Sequence, residues 1–123
     1  MMADLKEKSS GALLSTTTGV DMKTAAGTVL YTVPTGKVLR ITGIVVRDTS
    51  ASLAGGTSYS VTNWRQTFSL ATLTTAGTGF ISVSNADLAQ YTEIAAAATV
   101  TFTVTTGATA AGTATIDIFG YLT

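Results

Sequence analysis

From residue 28 to the end of the chain, apolar and polar positions alternate with a period of two, between clusters of Gly, Asn, Asp and the single Pro. This is the signature of short β-strands separated by turns. The cleanest stretch is 99–105, where Val100, Phe102 and Val104 fall on one face and Thr99, Thr101, Thr103 and Thr105 on the other. Upstream, Val29, Tyr31 and Val33 alternate with Thr28, Leu30 and Thr32, and Pro34 to Lys37 reads as a tight turn into a returning strand over 38–47, so a hairpin is expected. In that returning strand Leu39, Ile41, Gly43 and Val45 fall on one face and Val38, Arg40, Thr42, Ile44 and Val46 on the other. Both faces are apolar enough that the strand is either buried on both sides of its own domain or turned towards a second sheet or subunit.

Further strands are expected over 57–64, 67–73, 80–84, 91–94 and 113–121, with a single helical turn at 84–88 capped by Ser84 or Asn85. The Ala-rich stretch 94–98 is too short to stand as a helix. Regularly spaced short strands with turn signals between them point to an all-β fold, an antiparallel β-sandwich of jelly-roll type. Residues 1–19 differ: charges cluster at Asp4, Lys6, Glu7 and Lys8, followed by small and hydroxyl residues through Gly19. They read as an N-terminal arm, flexible or docked on a neighbour through Leu5, Leu13 and Leu14, ahead of a sandwich domain over 20–123. The apolar group at Ala12, Leu13 and Leu14 is too short for a signal-peptide core or a membrane span, so use without Sec export is expected.

Length and composition narrow the function. A chain of 123 residues has room for one core. Only 11% of residues are charged, against about a quarter in an average soluble domain, and seven acidic side chains balance seven basic ones. No net field draws the protein to nucleic acid or an anionic membrane, and sparse charge favours self-association. Thr, Ala and Gly make up almost half the chain, with Thr on the polar strand faces, where it suits either a solvent-facing sheet or an interface-rich shell component.

Cysteine and histidine are absent, which removes disulfides, thiolate nucleophiles, a His base and zinc sites built on Cys or His. Asp48, Asp87, Glu93 and Asp117 are available as glycosidase carboxylates, but no spacing singles out a pair. Leu53 to Thr57 lacks the Lys and the helix of a P-loop, and no dense set of oxygen ligands surrounds Asp48 or Asp87 for calcium. No catalytic, cofactor or metal residue is therefore assigned, and an enzyme is not expected. A carbohydrate platform built on Asn63, Trp64 and Gln66 suffers from alternating side-chain direction along a strand.

Several stretches carry a resemblance: Leu30-Tyr31-Thr32-Val33-Pro34-Thr35-Gly36-Lys37, Ile41-Thr42-Gly43-Ile44-Val45-Val46-Arg47, Ser52-Leu53-Ala54-Gly55-Gly56-Thr57, Tyr91-Thr92-Glu93-Ile94-Ala95-Ala96, and the C-terminal run from Gly112 to Leu122. In texture and order, over roughly residues 28–122, the chain resembles small virion proteins of tailed bacteriophages, of the head decoration or cement type. The resemblance implies a β-sandwich made in the host cytoplasm that oligomerises, commonly as a trimer, and binds the major capsid protein on the capsid surface across capsomer joints. The alternative is a tail, fibre or receptor-binding module of the virion. Contact candidates are Leu53, Trp64, Arg65, Tyr121 and Leu122, because exposed Trp, Tyr, Arg and apolar side chains carry most interface energy; Trp64 is equally a candidate for core packing.

Overall fold

The computed structural model describes residues 12–61, 65–77, 79–82 and 93–123. Among the described residues nine strands form two antiparallel sheets: β1 (Ala12–Asp21), β2 (Gly27–Thr32), β3 (Leu39–Arg47), β4 (Ser58–Val61), β5 (Arg65–Phe68), β6 (Phe80–Ser82), β7 (Glu93–Ile94), β8 (Thr99–Thr106) and β9 (Thr113–Leu122). Sheet A runs β1-β9-β3-β6 with β7 also on β3, and sheet B runs β2-β8-β4-β5. The pairings are nested, β1 with β9, β2 with β8, β3 with β6 and β4 with β5, as though one long hairpin had been rolled up. There is no helix among the described residues; the helical turn expected at 84–88 lies outside them.

The two sheets share one apolar core. Leu39, Ile41, Ile44, Val46, Ile116 and Ile118 come from sheet A, and Leu30, Tyr59, Val61, Val100, Phe102 and Val104 from sheet B. The rings of Tyr59 and Phe102 stack with centroids 5.5 Å apart, and Phe68 tilts against both. The Tyr59 hydroxyl donates to the carbonyl of Met22 at 3.0 Å, so its one polar atom is satisfied inside the core. On β8 the expected alternation holds, because an unbroken pleat sends every second side chain inward.

Elsewhere the structure departs from the pattern. The turn at 34–37 forms, with the Lys37 amide donating to the Pro34 carbonyl at 3.2 Å and Gly36 at φ +78°, but no hairpin follows. β2 belongs to sheet B and β3 to sheet A, so the turn carries the chain across the core. In β3 a register shift between Ile41 and Gly43 changes the phase, so Leu39 and Ile41 face inward before it and Ile44 and Val46 after it. In β2 a shift between Val29 and Tyr31 turns Leu30 into the core, so that of the alternating set Val29, Tyr31 and Val33 the first is exposed while Tyr31 and Val33 pack inward. The expected strand at 67–73 ends at Phe68, and Leu70 enters the core from a loop.

The arm boundary expected at residue 19 is corrected too. Residues 12–19 form most of β1, whose backbone is held along β9 from Ala12↔Gly120 to Asp21↔Thr113. The sparse apolar residues that suggested an arm reflect an edge strand with most side chains outside the core. β1 is also tied to the other sheet, since Ser15 Oγ donates to the Leu30 carbonyl at 2.7 Å. Asp21 ends it by accepting the amides of Lys23 and Thr24 at 2.8 and 3.1 Å, which holds its carboxyl below the usual range.

Candidate interaction surfaces

Each sheet turns a different outer face away from the core. On sheet A, the inward set Ile116, Ile118 and Gly120 of β9 leaves Thr115, Asp117, Phe119 and Tyr121 pointing outward. Antiparallel pairing then sets Leu13 of β1 opposite Phe119 and Arg40 of β3 opposite Tyr121. Leu13 is 55% exposed, and Phe119, Tyr121 and Arg40 are half-buried. The result is an apolar and aromatic patch with a cation at its margin, the residue types that dominate protein interfaces.

The other half of the same face is ionic. Asp117 accepts Arg47 Nε at 2.7 Å and Nη2 at 3.4 Å from β3, and Thr16 Oγ1 at 2.7 Å from β1. Arg47 also pairs with Asp48 at 2.6 Å. One carboxylate thus ties three adjacent strands together. The Arg47 guanidinium holds the Asp117 carboxyl below its ordinary value, burial opposes this, and the Thr16 hydroxyl adds to the lowering. Arg47 is correspondingly raised by Asp117. Asp117 and Asp48 thus share one Arg, and Asp117 is committed to a clamp between strands.

For a carboxyl whose folded pKa lies below its unfolded value of about 3.9, the stabilisation is complete above that value and is lost as pH falls through the folded pKa. Asp117→Asn is therefore expected to cost about 1.5–3 kcal/mol at neutral pH, the range for a hydrogen bond to a charged group, and progressively less as the pH falls through the folded-state pKa of Asp117. Urea unfolding of both proteins at pH 7 and near pH 2 checks this. Asp21 is unchanged in both, so the difference isolates Asp117; equal costs at the two pH values would remove the clamp from the account.

Sheet B presents the opposite chemistry. With Val100, Phe102 and Val104 in the core, Thr99, Thr101, Thr103 and Thr105 stand on the outside of β8. Gly27 and Val29 of β2 lie opposite Thr103 and Thr101, and Ser60 of β4 lies opposite Thr103 from the other side. A Cβ on Gly27 would come within 3.0 Å of the Thr101 methyl, so the face is low and flat there. Val29 is 55% exposed among these hydroxyls. No charged side chain lies on this face among the described residues of β2, β4 and β8.

Of the contact residues expected from sequence, Leu13 and Tyr121 come together on sheet A with Phe119, which sequence reading missed; its alternation with Tyr121 along 113–122 was the available signal. Leu53 is corrected from an exposed loop residue to a core residue: it is 0% exposed, and its amide donates to the Leu73 carbonyl at 2.8 Å. Leu14 and Leu122 are half-buried and pack against the core. Arg65 lies in β5, opposite Val61, while Leu5, Asn63, Trp64 and Asp87 lie outside the described residues. Among the described residues no group of three or more acidic, His or Cys side chains could hold a metal ion, and no helix is long and apolar enough to cross a membrane. No family model, curated protein or solved structure matches the chain.

Proposed function

We propose that this chain is a structural virion protein of the decoration or cement type, a jelly-roll sandwich that binds the outer surface of a phage capsid across capsomer joints and stabilises the shell. The jelly-roll reading is supported by the nested pairing of β1 with β9, β2 with β8, β3 with β6 and β4 with β5. The observation that carries the functional reading is the patch of Leu13, Phe119, Tyr121 and Arg40, aligned across three neighbouring strands of sheet A. A broad patch of this kind suits a face held against another protein, here the major capsid protein.

The mechanism is mechanical. Each copy that binds the assembled joint, and not the separated capsomers, adds its binding free energy to what must be lost before the joint opens. Many copies on one shell multiply a modest individual affinity. Capsids lacking this protein, mixed with it and sedimented, are expected to take up a saturating number of copies and to resist heating better. Tyr121→Ala is expected to weaken uptake about tenfold, equivalent to about 1.4 kcal/mol at an interface centre. An oligomer that ignores capsids overturns the reading in favour of a tail or fibre component.

A further inference from the structure

We infer that the outer face of sheet B, which carries no charged side chain among the described residues of β2, β4 and β8, is where copies of this chain meet one another, leaving the patch on sheet A for the shell. The inference deepens the proposed function by naming a second surface and its occupant, and its oligomeric part can fail without the capsid part. The argument starts from desolvation. Burying a charged side chain in an interface requires a partner of opposite charge placed opposite it, whereas Thr and Ser hydroxyls both donate and accept and can pair with their own kind. A surface that meets a copy of itself sets identical or neighbouring residues against each other, so like charges near the symmetry axis would repel.

Sheet B meets this condition and sheet A does not. Across β2, β8 and β4 the described outward side chains are Thr, Ser, Gly and Val, while sheet A displays Arg40, Arg47 and Asp117. The exposed Val29 next to Thr101 supplies an apolar contact at the edge of the ladder, and Gly27 keeps the surface flat. The chain as a whole is formally neutral, so no long-range repulsion opposes the approach of a second copy.

Size sets the expected strength. The strands β2, β8, β4 and β5 have six, eight, four and four residues, and with the usual strand rise and spacing the face of this sheet spans about 350 Å² in projection. A stable interface buries about 800 Å² on each partner, so this contact is of the weak, transient kind, and association is expected to be concentration-dependent, on the order of hundreds of micromolar.

The test is sedimentation velocity of the full chain from about 1 to 500 μM, the range in which such weak interfaces dissociate. The unaltered protein is expected to associate reversibly. Thr103→Lys at the centre of the face and Thr99→Lys at its end are each expected to raise the concentration of half-association at least tenfold, with circular dichroism unchanged. Thr18→Lys, on exposed β1 of sheet A, is expected to leave it unaltered. Because the chain has no cysteine, a spin label on Val29→Cys gives a second reading: its mobility falls as the protein associates, and a label on Thr18→Cys keeps its mobility. A protein that stays monomeric throughout, or that associates equally well with Lys at 99 and 103, overturns the inference. Loss of capsid uptake by Thr103→Lys in a protein that is monomeric at every concentration would also overturn it, and would assign the face to the shell.

Discussion

Phe102→Ala is expected to be among the most destabilising single changes in this protein, costing about 3–5 kcal/mol, the range for truncating a buried Phe. Phe102 is fully buried, stacks on Tyr59, tilts against Phe68 and stands between Val100 and Val104 on the core side of β8. Removing its ring leaves a cavity bounded by two other aromatic rings that are themselves held, Tyr59 by the Met22 carbonyl. The surroundings therefore cannot collapse far. Against a total stability of roughly 5–15 kcal/mol, a loss of this size lowers the melting temperature by about 10 °C or more. Urea unfolding and calorimetry measure it. The functional consequence follows from the strand itself: Thr101 and Thr103 share β8 with Phe102, so a loosened core side blurs the ladder on the outer side. Self-association is expected to weaken along with stability. A cost under about 1 kcal/mol would mean that the aromatic cluster does not organise the core.

Gly120→Ala is the second. Gly120 lies in β9 opposite Ile41, beside the register shift of β3, where a Cβ would run into the Arg40 carbonyl oxygen and come within 3.1 Å of the Ile41 Cα. The obstacle is backbone, which cannot swing aside as the tip of a long side chain can. One added methyl is expected to cost about 3 kcal/mol, the upper part of the usual range for overpacking. The displaced strand carries Phe119 and Tyr121 on either side of Gly120, so capsid uptake is expected to fall even at a temperature where the variant remains folded. Denaturation gives the first quantity and co-sedimentation at low temperature the second. A variant as stable as the parent would show that β3 and β9 separate easily at this point, which would also weaken the case for a rigid patch there.

How far the fold was legible in the sequence depended on the strand. β8 and β4 could be read residue by residue, because in both the core residues (Val100, Phe102 and Val104; Tyr59 and Val61) keep a strict period of two. β2 and β3 were legible as strands but not as faces, since each contains a register shift that changes the inward set. β1 was read as an arm because its Ser and Thr residues offer no apolar face; its pairing with β9, about a hundred residues away in the chain, makes it a strand. The interface candidates divided in the same way. Exposure cannot be read from residue type, so Leu53, placed in a loop by composition, proved to be core, whereas Phe119, unremarked within a strand, faces outward next to Leu13.

The sequence by itself determined the all-β class, the neutrality of the surface and the hydroxyl ladder of β8, because strand periodicity and side-chain chemistry are local properties that each residue carries wherever the chain folds. Only the tertiary structure decided which sheet each strand joined, that β2 and β3 lie across the core from each other, and that Leu13, Phe119, Tyr121 and Arg40 share one face while the Thr ladder occupies another. Those outcomes rest on pairing between distant segments, where one inserted residue in a ladder moves every following side chain to the other side of the sheet.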